Sequence, residues 1–279
     1  MVGAQQEAPL EPFGYAVHAS VTGPQAAIDA FIGPEAAHVE HEAGAGQALQ
    51  CQGHDGGDIT AGMHDAQAVA HNRALLREVV PSEPLWLNQT HGVAVYQSST
   101  QTHCNGIPEA DAVLMTEPNQ VAVIMTAECL HVLFTTRQGT LVAGAHAGWC
   151  SLVGGVLENT VKAMCETGAQ RSDILTWMGP AIGVAQFEVG VEVRTEFIQK
   201  GLALGIAEDL TIACFKQNLE QKPDQKYAAD IYALARQRLQ LAGVVDEHIS
   251  GGGLCTVSDA QKFYSYRRDG VPGPLAMVI

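Results

Sequence analysis

Three residues of this chain have the right chemistry to bind a metal ion: His91, Cys129 and His146. Imidazole nitrogen and thiolate sulfur are the donors that zinc prefers in proteins. Three protein donors leave the fourth tetrahedral position free for water or substrate, which distinguishes a catalytic zinc site from a closed structural one. These three residues are therefore candidates both for ligating a metal and for carrying catalysis.

Cys129 and His146 each follow an apolar run that is typical of a buried strand. The runs are residues 121–125 and 141–145. Strands that pair in one sheet can bring their ends together. The pattern favours a shared site, although no compact Cys-x-x-Cys or His-Glu-x-x-His motif supports it.

The remaining pattern predicts a mixture of strands and helices. Predicted strands lie at 85–87, 93–96 and 175–178, with a final strand pair at 253–256 and 275–279. Predicted helices span 65–80, 156–168, 191–198 and 227–242. Helices occur between groups of strands rather than after every strand, so the sequence predicts an α+β fold.

Length and composition fit one large domain without disulfides. The 279 residues are 47% hydrophobic, which is enough to bury a large core, so we expect residues 1–279 to form a single domain. The seven cysteines follow no framework spacing, which favours reduced thiols.

Charge and hydropathy exclude some classes of partner. The net charge of -15 argues against a nucleic-acid partner, because a basic stripe is expected in such proteins. There is no apolar run of about eighteen residues and no signal-like start, so we expect a cytoplasmic protein without a membrane association. No particular protein partner is predicted.

Six short blocks of the sequence carry a resemblance to a known family. They are Gln89-Thr90-His91-Gly92, Thr126-Ala127-Glu128-Cys129, His146-Ala147-Gly148-Trp149-Cys150-Ser151, Gly179-Pro180-Ala181-Ile182, Phe187-Glu188-Val189-Gly190 and Phe263-Tyr264-Ser265-Tyr266-Arg267-Arg268-Asp269. In order and content they resemble the YfiH-type family, also called laccase-domain, polyphenol oxidoreductase or peptidoglycan-editing-factor proteins. Six blocks in register are a specific signal. Residues 1–64 match the family poorly.

The resemblance implies a fold, a cofactor and an activity. The fold would be a single domain of two face-to-face mixed β-sheets flanked by helices, in α-β-β-α layers. The activity would be that of a zinc-dependent purine nucleoside phosphorylase, which splits adenosine, inosine, guanosine or methylthioadenosine with phosphate; some members also deaminate adenosine. His91, Cys129 and His146 would hold the zinc. Copper is the alternative, because older names describe copper polyphenol oxidases (laccases) and thiolate ligation also fits Cu(I).

Four further residues are candidates for binding substrate or phosphate. Arg267 and Arg268 offer a tandem fork of donors that suits phosphate or carboxylate. Arg73 matches an Asn-Arg pair of the family, and Gln89 belongs to the block that contains His91.

The chain departs from the family pattern at several positions. Cys150 and Ser151 replace Arg-Gly, Glu128 replaces Asp, His131 stands where Pro is usual, and the segment that ends at Pro274 lacks the usual Arg. Two cationic contacts of the family are therefore missing, which bears on phosphate recognition more than on metal binding. Cys150 and His131 are hypothetical additional metal donors.

Two other functions remain open. Cys129 could act as a nucleophile with His146 or His91 as its base, which would give a cysteine hydrolase or amidase acting on cell-wall precursors. The chain could also be a metal-binding scaffold that has lost turnover. Dependence of activity on metal would separate the hydrolase from the phosphorylase.

Overall fold

The computed structural model describes residues 16–17, 37–38, 73–74, 76–78, 80–98, 106–217, 226–263, 265–270 and 275–279. Its strands are β1 (Ala16–Val17), β2 (Ala37–His38), β3 (Leu85–Trp86), β4 (Val95–Ser98), β5 (Ala112–Met115), β6 (Ala122–Thr126), β7 (Leu130–Thr136), β8 (Val142–Ala147), β9 (Ile174–Met178), β10 (Glu188–Gly190), β11 (Phe215–Gln217), β12 (Lys226–Ala229), β13 (Ile249–Gly251) and β14 (Leu275–Val278). Its helices are α1 (Trp149–Gly154), α2 (Val156–Glu166), α3 (Val191–Ala203), α4 (Glu208–Ile212), α5 (Ile231–Leu241) and α6 (Tyr266–Asp269).

Two mixed sheets form the centre of the fold. One has six strands in the order β13-β9-β7-β8-β5-β4, and the other has three in the order β14-β6-β3. Each contains both kinds of pairing: β4 and β5 are parallel whereas β7 and β8 are antiparallel, and β3 and β6 are parallel whereas β14 and β6 are antiparallel. The predicted α+β class is confirmed.

A buried apolar cluster lies between the two sheets. It joins Val113, Leu133 and Trp177 of the six-stranded sheet to Ile124 and Met277 of the three-stranded sheet. Withdrawing such side chains from water is the dominant favourable contribution to folding. The two sheets therefore pack face to face.

Helices cover the outer face of the six-stranded sheet. Leu114 and Phe134 of this sheet share a buried cluster with Leu157 of α2 and Leu234 of α5. Successive strand residues point to opposite faces, so the same strands also contribute to the core between the sheets.

A short helical stretch at residues 76–78 packs Leu76 on the outer face of the three-stranded sheet. Leu76 packs with Trp86, Val123 and Val278. The layers therefore follow the α-β-β-α order. The beginning of the helix predicted at 65–80 lies outside the described residues.

Strand β8 presents His146 to the space between the sheets. A Cβ at Gly144 of this strand would lie 2.1 Å from Ile279 Cδ1 and 3.0 Å from Ile124 Cγ1, so the glycine lets the sheets approach closely. His146 comes two residues later and therefore shares this face. Because β8 ends at Ala147, His146 lies where the core between the sheets ends.

The helix predicted at 227–242 begins later than expected. Residues 226–229 form β12, which pairs with β10 and β11. The helix starts at Ile231, because the carboxylate of Asp230 accepts the backbone N–H of Ala233 and caps this end.

The predicted pairing of 253–256 with 275–279 is wrong. Strand β14 pairs with β6 instead, and Cys255 forms an isolated bridge with Ala181. Glycines 251–253 all have positive φ, a left-handed conformation that does not continue a strand. The sheets β10-β12-β11 and β1-β2 were not predicted.

Within the described part of the chain, every helix is too short or too polar to cross a bilayer. The cytoplasmic location and the single domain spanning 1–279 stay predictions.

We expect Leu133→Ala to lower the free energy of unfolding by about 2–5 kcal/mol, because it leaves a cavity between the two sheets. Leu204→Ala is the matched control, since Leu204 is 45% exposed and Leu133 only 3%; its expected effect is within about 0.5 kcal/mol. Denaturant unfolding measures both. Equal losses in the two variants would contradict the packing described for the sheets.

Candidate metal centre

His91, Cys129 and His146 lie together in the structure. Each offers one ligand atom, and the three atoms lie within 4.8 Å of one another. Cys129 Sγ is 3.9 Å from His91 Nε2, and the two imidazole rings meet edge to face with their centroids 4.7 Å apart. His146 is buried, whereas His91 and Cys129 are partly exposed. The cluster could therefore hold a metal ion that stays accessible to a small molecule.

Three different connections bring these donors together. Cys129 lies in the turn between β6 and β7, His146 lies at the end of β8, and His91 lies between β3 and β4. Strands β7 and β8 are paired, and β6 belongs to the facing sheet. The site therefore sits where the two sheets meet, as expected for donors placed at strand ends.

Asp111 links two of the three donor residues. Its carboxylate accepts hydrogen bonds from the backbone N–H groups of Thr90, His91 and Gly92, at 3.1, 2.9 and 2.7 Å. One carboxylate oxygen also lies 2.8 Å from Nδ1 of His146. Sequence reasoning missed Asp111, although its place directly before the apolar run of β5 was a usable signal.

Glu128 anchors the turn that carries Cys129 to the C-terminal part of the chain. Its carboxylate accepts hydrogen bonds from Thr256 Oγ1 at 2.7 Å, from the backbone N–H of Arg267 at 3.2 Å, and from the hydroxyl of Ser265. Thr256 and Ser265 have no exposed surface. The acid at this position, a Glu in place of the family's Asp, is thus satisfied by three donors next to the cluster.

The electrostatics of the cluster favour a thiolate beside an imidazolium. Burial would raise the pKa of Cys129, but the charge and hydrogen bond of His146, with a further contribution from His91, lower it to about 6. Burial would lower the pKa of His146, but the Cys129 thiolate and the hydrogen bond to Asp111 raise it to about 9. A metal ion binding near pH 7 would therefore find Cys129 as a thiolate and would displace a proton from His146.

Arg73 and Gln89 make contacts within the protein. The guanidinium of Arg73 stacks over the ring of Trp86, 4.5 Å from its centroid. The amide of Gln89 donates to the backbone oxygen of Met125 at 2.7 Å and accepts the N–H of the same residue at 2.8 Å. Both side chains help to hold β3 and β6 in place, and their substrate-binding roles stay predictions.

The two arginines of the tandem pair differ in their surroundings. The partners of the Arg268 guanidinium are three backbone carbonyls and one carboxylate, those of Thr256, Val257, Phe263 and Asp269. Arg267 is exposed, and its guanidinium donates to the backbone oxygen of Gln186 at 3.1 Å. The fork of Arg268 is therefore engaged inside the protein, while that of Arg267 is accessible.

Neither hypothetical extra donor belongs to the cluster. His131 is buried, its Nδ1 lies 3.1 Å from Thr126 Oγ1, and its ring packs so closely on Gly179 that a Cβ there would be 1.7 Å from Nε2. Cys150 is disulfide-bonded, so its sulfur is not a thiolate donor. The expectation of reduced thiols is wrong at Cys150, whereas Cys129 is free.

The sequence of the whole region around this site matches a known family. A family described as multi-copper polyphenol oxidoreductase laccase matches residues 51–279. The chain belongs to this family. The resemblance to YfiH-type proteins is thereby confirmed, because relatives and solved structures carry that name.

Curated relatives of the chain share one name. A purine nucleoside phosphorylase of Haemophilus influenzae is 42% identical over 214 residues, which cover 76% of this chain and 81% of that protein. The purine nucleoside phosphorylase YfiH of Escherichia coli is 44% identical over 200 residues, covering 72% of this chain and 74% of that protein.

Solved structures of family members share the fold. The protein NMB0706 of Neisseria meningitidis is 36% identical, with a TM-score of 0.65, and the match covers 76% of this chain and 80% of that one. YlmD of Geobacillus stearothermophilus is 27% identical, with a TM-score of 0.66, and the match covers 76% and 79%.

Gly148 leaves the space that the three donors occupy. A Cβ on this residue would lie 3.0 Å from Cys129 Sγ, 3.0 Å from His91 Cδ2 and 3.5 Å from His146 Nε2. Its φ is -57°, which any residue can adopt. The glycine is therefore required by the crowding of the donors and not by its backbone conformation.

We expect Gly148→Ala to weaken metal binding at the cluster by about tenfold or more, because the added methyl group displaces the sulfur or a ring. Competition with a chromophoric chelator measures the affinity. Gly201→Ala is the control, because its Cβ would also be crowded, 3.1 Å from Thr211 Oγ1, but in helix α3. Wild-type affinity in Gly148→Ala would show that the donors do not need this space.

Proposed function

We propose that the protein is a zinc-dependent purine nucleoside phosphorylase. Its substrates are phosphate and a nucleoside of the adenosine, inosine, guanosine and methylthioadenosine class. The observation that carries the proposal is the convergence of His91, Cys129 and His146 at a partly exposed position. Relatives that are 42% and 44% identical are named purine nucleoside phosphorylase, which supports this choice of reaction.

The donor set fits zinc. Two imidazole nitrogens and one thiolate are three of the four ligands of a tetrahedral site, and the exposed side of the cluster suits an open fourth position. A zinc ion held there would supply a Lewis acid for an oxygen of phosphate or water. Copper is the alternative, because the family description names it and raw affinity for such sites favours copper over zinc.

The protein itself would position the two substrates and supply positive charge to bind phosphate. Holding a nucleoside against phosphate makes their reaction effectively unimolecular, which can remove much of the activation barrier. Phosphate is an anion, and the guanidinium of an arginine binds it through two parallel charge-assisted hydrogen bonds. Arg267 suits this role because its side chain is exposed and its backbone N–H is fixed 3.2 Å from the Glu128 carboxylate, next to the donor Cys129.

We expect purified protein loaded with zinc to convert adenosine and phosphate into adenine and ribose phosphate in equal amounts. Chelation should abolish the reaction and added zinc should restore it. Cys129→Ser should lose both zinc and activity. Cys165→Ser is the matched control, because Cys165 is a free, partly buried thiol on helix α2 and should behave like the wild type.

Other outcomes of this assay identify the alternatives. Inosine formed from adenosine without phosphate would indicate adenosine deamination, which we propose as a second activity of the same site. Oxidation of a phenolic substrate by the copper-loaded protein would favour a laccase. Absence of turnover on every purine nucleoside, with zinc bound, would contradict the phosphorylase and favour a metal-binding scaffold.

A cysteine hydrolase or amidase acting on cell-wall precursors is the second candidate function. The lowered pKa of Cys129, about 6, gives a thiolate beside His146 as a nucleophilic mechanism requires. Activity that survives complete removal of metal and is blocked by alkylation of Cys129 would favour this candidate over the phosphorylase.

We expect Arg267→Ala to raise the KM for phosphate by about tenfold, the loss of one charge-assisted contact of about 1.5 kcal/mol, without changing the melting temperature. Arg171→Ala is the control, since Arg171 is also exposed and also donates to one backbone carbonyl, that of Ala242. An unchanged KM for phosphate in Arg267→Ala would contradict the role assigned to this residue.

A further inference from the structure

The carboxylate of Asp111 touches both histidines of the cluster, and it has no exposed surface. We propose that Asp111 is the positioning residue of the metal site: it determines which ring nitrogen of His146 is the ligand and holds the backbone of His91 in place. The proposal rests on the proposed metal site but not on the reaction that the site catalyses.

The partners of Asp111 determine the tautomer of His146. One oxygen, Oδ1, accepts the backbone N–H of His91 at 2.9 Å, and the same oxygen lies 2.8 Å from His146 Nδ1. The other oxygen accepts the N–H groups of Thr90 and Gly92. A carboxylate surrounded by N–H donors is an acceptor, so the His146 atom that faces it carries the proton.

The other ring nitrogen of His146 then faces the cluster and can bind a metal once its own proton is displaced. With Nδ1 protonated, Nε2 of the neutral ring is the atom that can bind a metal. The position of Gly148 agrees with this orientation, because a Cβ there would lie 3.5 Å from Nε2 and 3.0 Å from Cys129 Sγ. Metal-binding histidines generally donate their other N–H to a carboxylate or carbonyl in this way.

The same carboxylate holds His91 in an unusual backbone conformation. The φ of His91 is +59°, a left-handed value that is uncommon for residues other than glycine. The N–H groups of Thr90, His91 and Gly92 all converge on Asp111. Three hydrogen bonds to one buried charge compensate for the strain of this turn, which aims the ring of His91 at the cluster.

The backbone of Asp111 is itself fixed between strands. Its N–H donates to the carbonyl of Ala94 at 3.1 Å, and its carbonyl accepts the N–H of His146 at 2.7 Å. Asp111 directly precedes β5, which pairs with both β4 and β8. The carboxylate therefore sits where β5 begins, on a backbone that is hydrogen-bonded on both sides, as suits a group that positions others.

The test is Asp111→Asn, which keeps the shape of the side chain but replaces one acceptor oxygen by an NH2 group that cannot accept any of the N–H donors. We expect zinc affinity to fall by about 10- to 100-fold. Asp230→Asn is the matched control, because Asp230 also accepts a backbone N–H, that of Ala233 at 3.0 Å, but caps helix α5. Its zinc affinity should equal that of the wild type.

A second measurement separates positioning from general stability, because its main readout is taken on the wild-type protein. Nitrogen-15 NMR of the histidine rings in the zinc-loaded wild type should show His146 protonated at Nδ1 and zinc-bound at Nε2, with the signal assigned by its absence in His146→Asn. In Asp111→Asn this Nδ1–H signal should shift or broaden.

Zinc affinity and the ring signals together test the positioning role of Asp111, whether or not the protein has phosphorylase activity. A wild-type His146 bound through Nδ1, or an Asp111→Asn protein with unchanged zinc affinity and unchanged ring signals, would overturn the proposal. Reduced affinity with an altered Nδ1–H signal would support it, even if every nucleoside proved to be inert.

Discussion

The structure depends on one constraint above all others: three short connections must bring two imidazoles and a thiol to one point at the end of the core between the sheets. Strand pairing supplies the coarse placement, because β7 and β8 are neighbours and β6 faces them from the other sheet. The fine placement comes from the buried carboxylate of Asp111 and from the space that Gly148 leaves. Asp111 directly precedes β5 and Gly148 directly follows β8, so the strand pairing that places the donors also places these two residues.

The charges of Cys129 and His146 stabilise each other in this arrangement. In the absence of a metal, the three groups do not repel one another, because a thiolate beside an imidazolium is a mutually stabilising pair. The same pair is chemically competent in two ways, as a set of metal donors and as an activated nucleophile. The geometry fits both chemistries, so the dependence of activity on metal must decide between them. The names of the relatives favour the phosphorylase.

Much of the site could be predicted from the sequence, and the reason is physical. Cys129 and His146 each follow an apolar run at a strand end, where side chains from different strands meet. His91 lies in the connection between two strands and is marked by the family block that contains it. Asp111 could not be assigned in the same way, because its importance comes from hydrogen bonds to three backbone N–H groups, and the sequence does not show where those groups point. Arg267 and Arg268 are indistinguishable as a dipeptide, and their different partners emerge only from the folded chain.

The fold class and the layer order were predicted more reliably than the ends of elements. The helix at 227–242 was predicted four residues too early, since β12 continues the apolar pattern without a break and only the cap at Asp230 shows where the helix begins. The pairing of 253–256 was wrong because three consecutive left-handed glycines, 251–253, redirect the chain. Local conformations of this kind override hydrophobic periodicity.

The central claim is that one ion is held jointly by His91, Cys129 and His146. X-ray absorption spectroscopy of the zinc-loaded protein tests it most directly. We predict one sulfur at about 2.3 Å and two imidazole nitrogens at about 2.0–2.1 Å from the metal, with the sulfur lost in Cys129→Ser. A shell of nitrogen and oxygen without sulfur in the wild type would contradict the account.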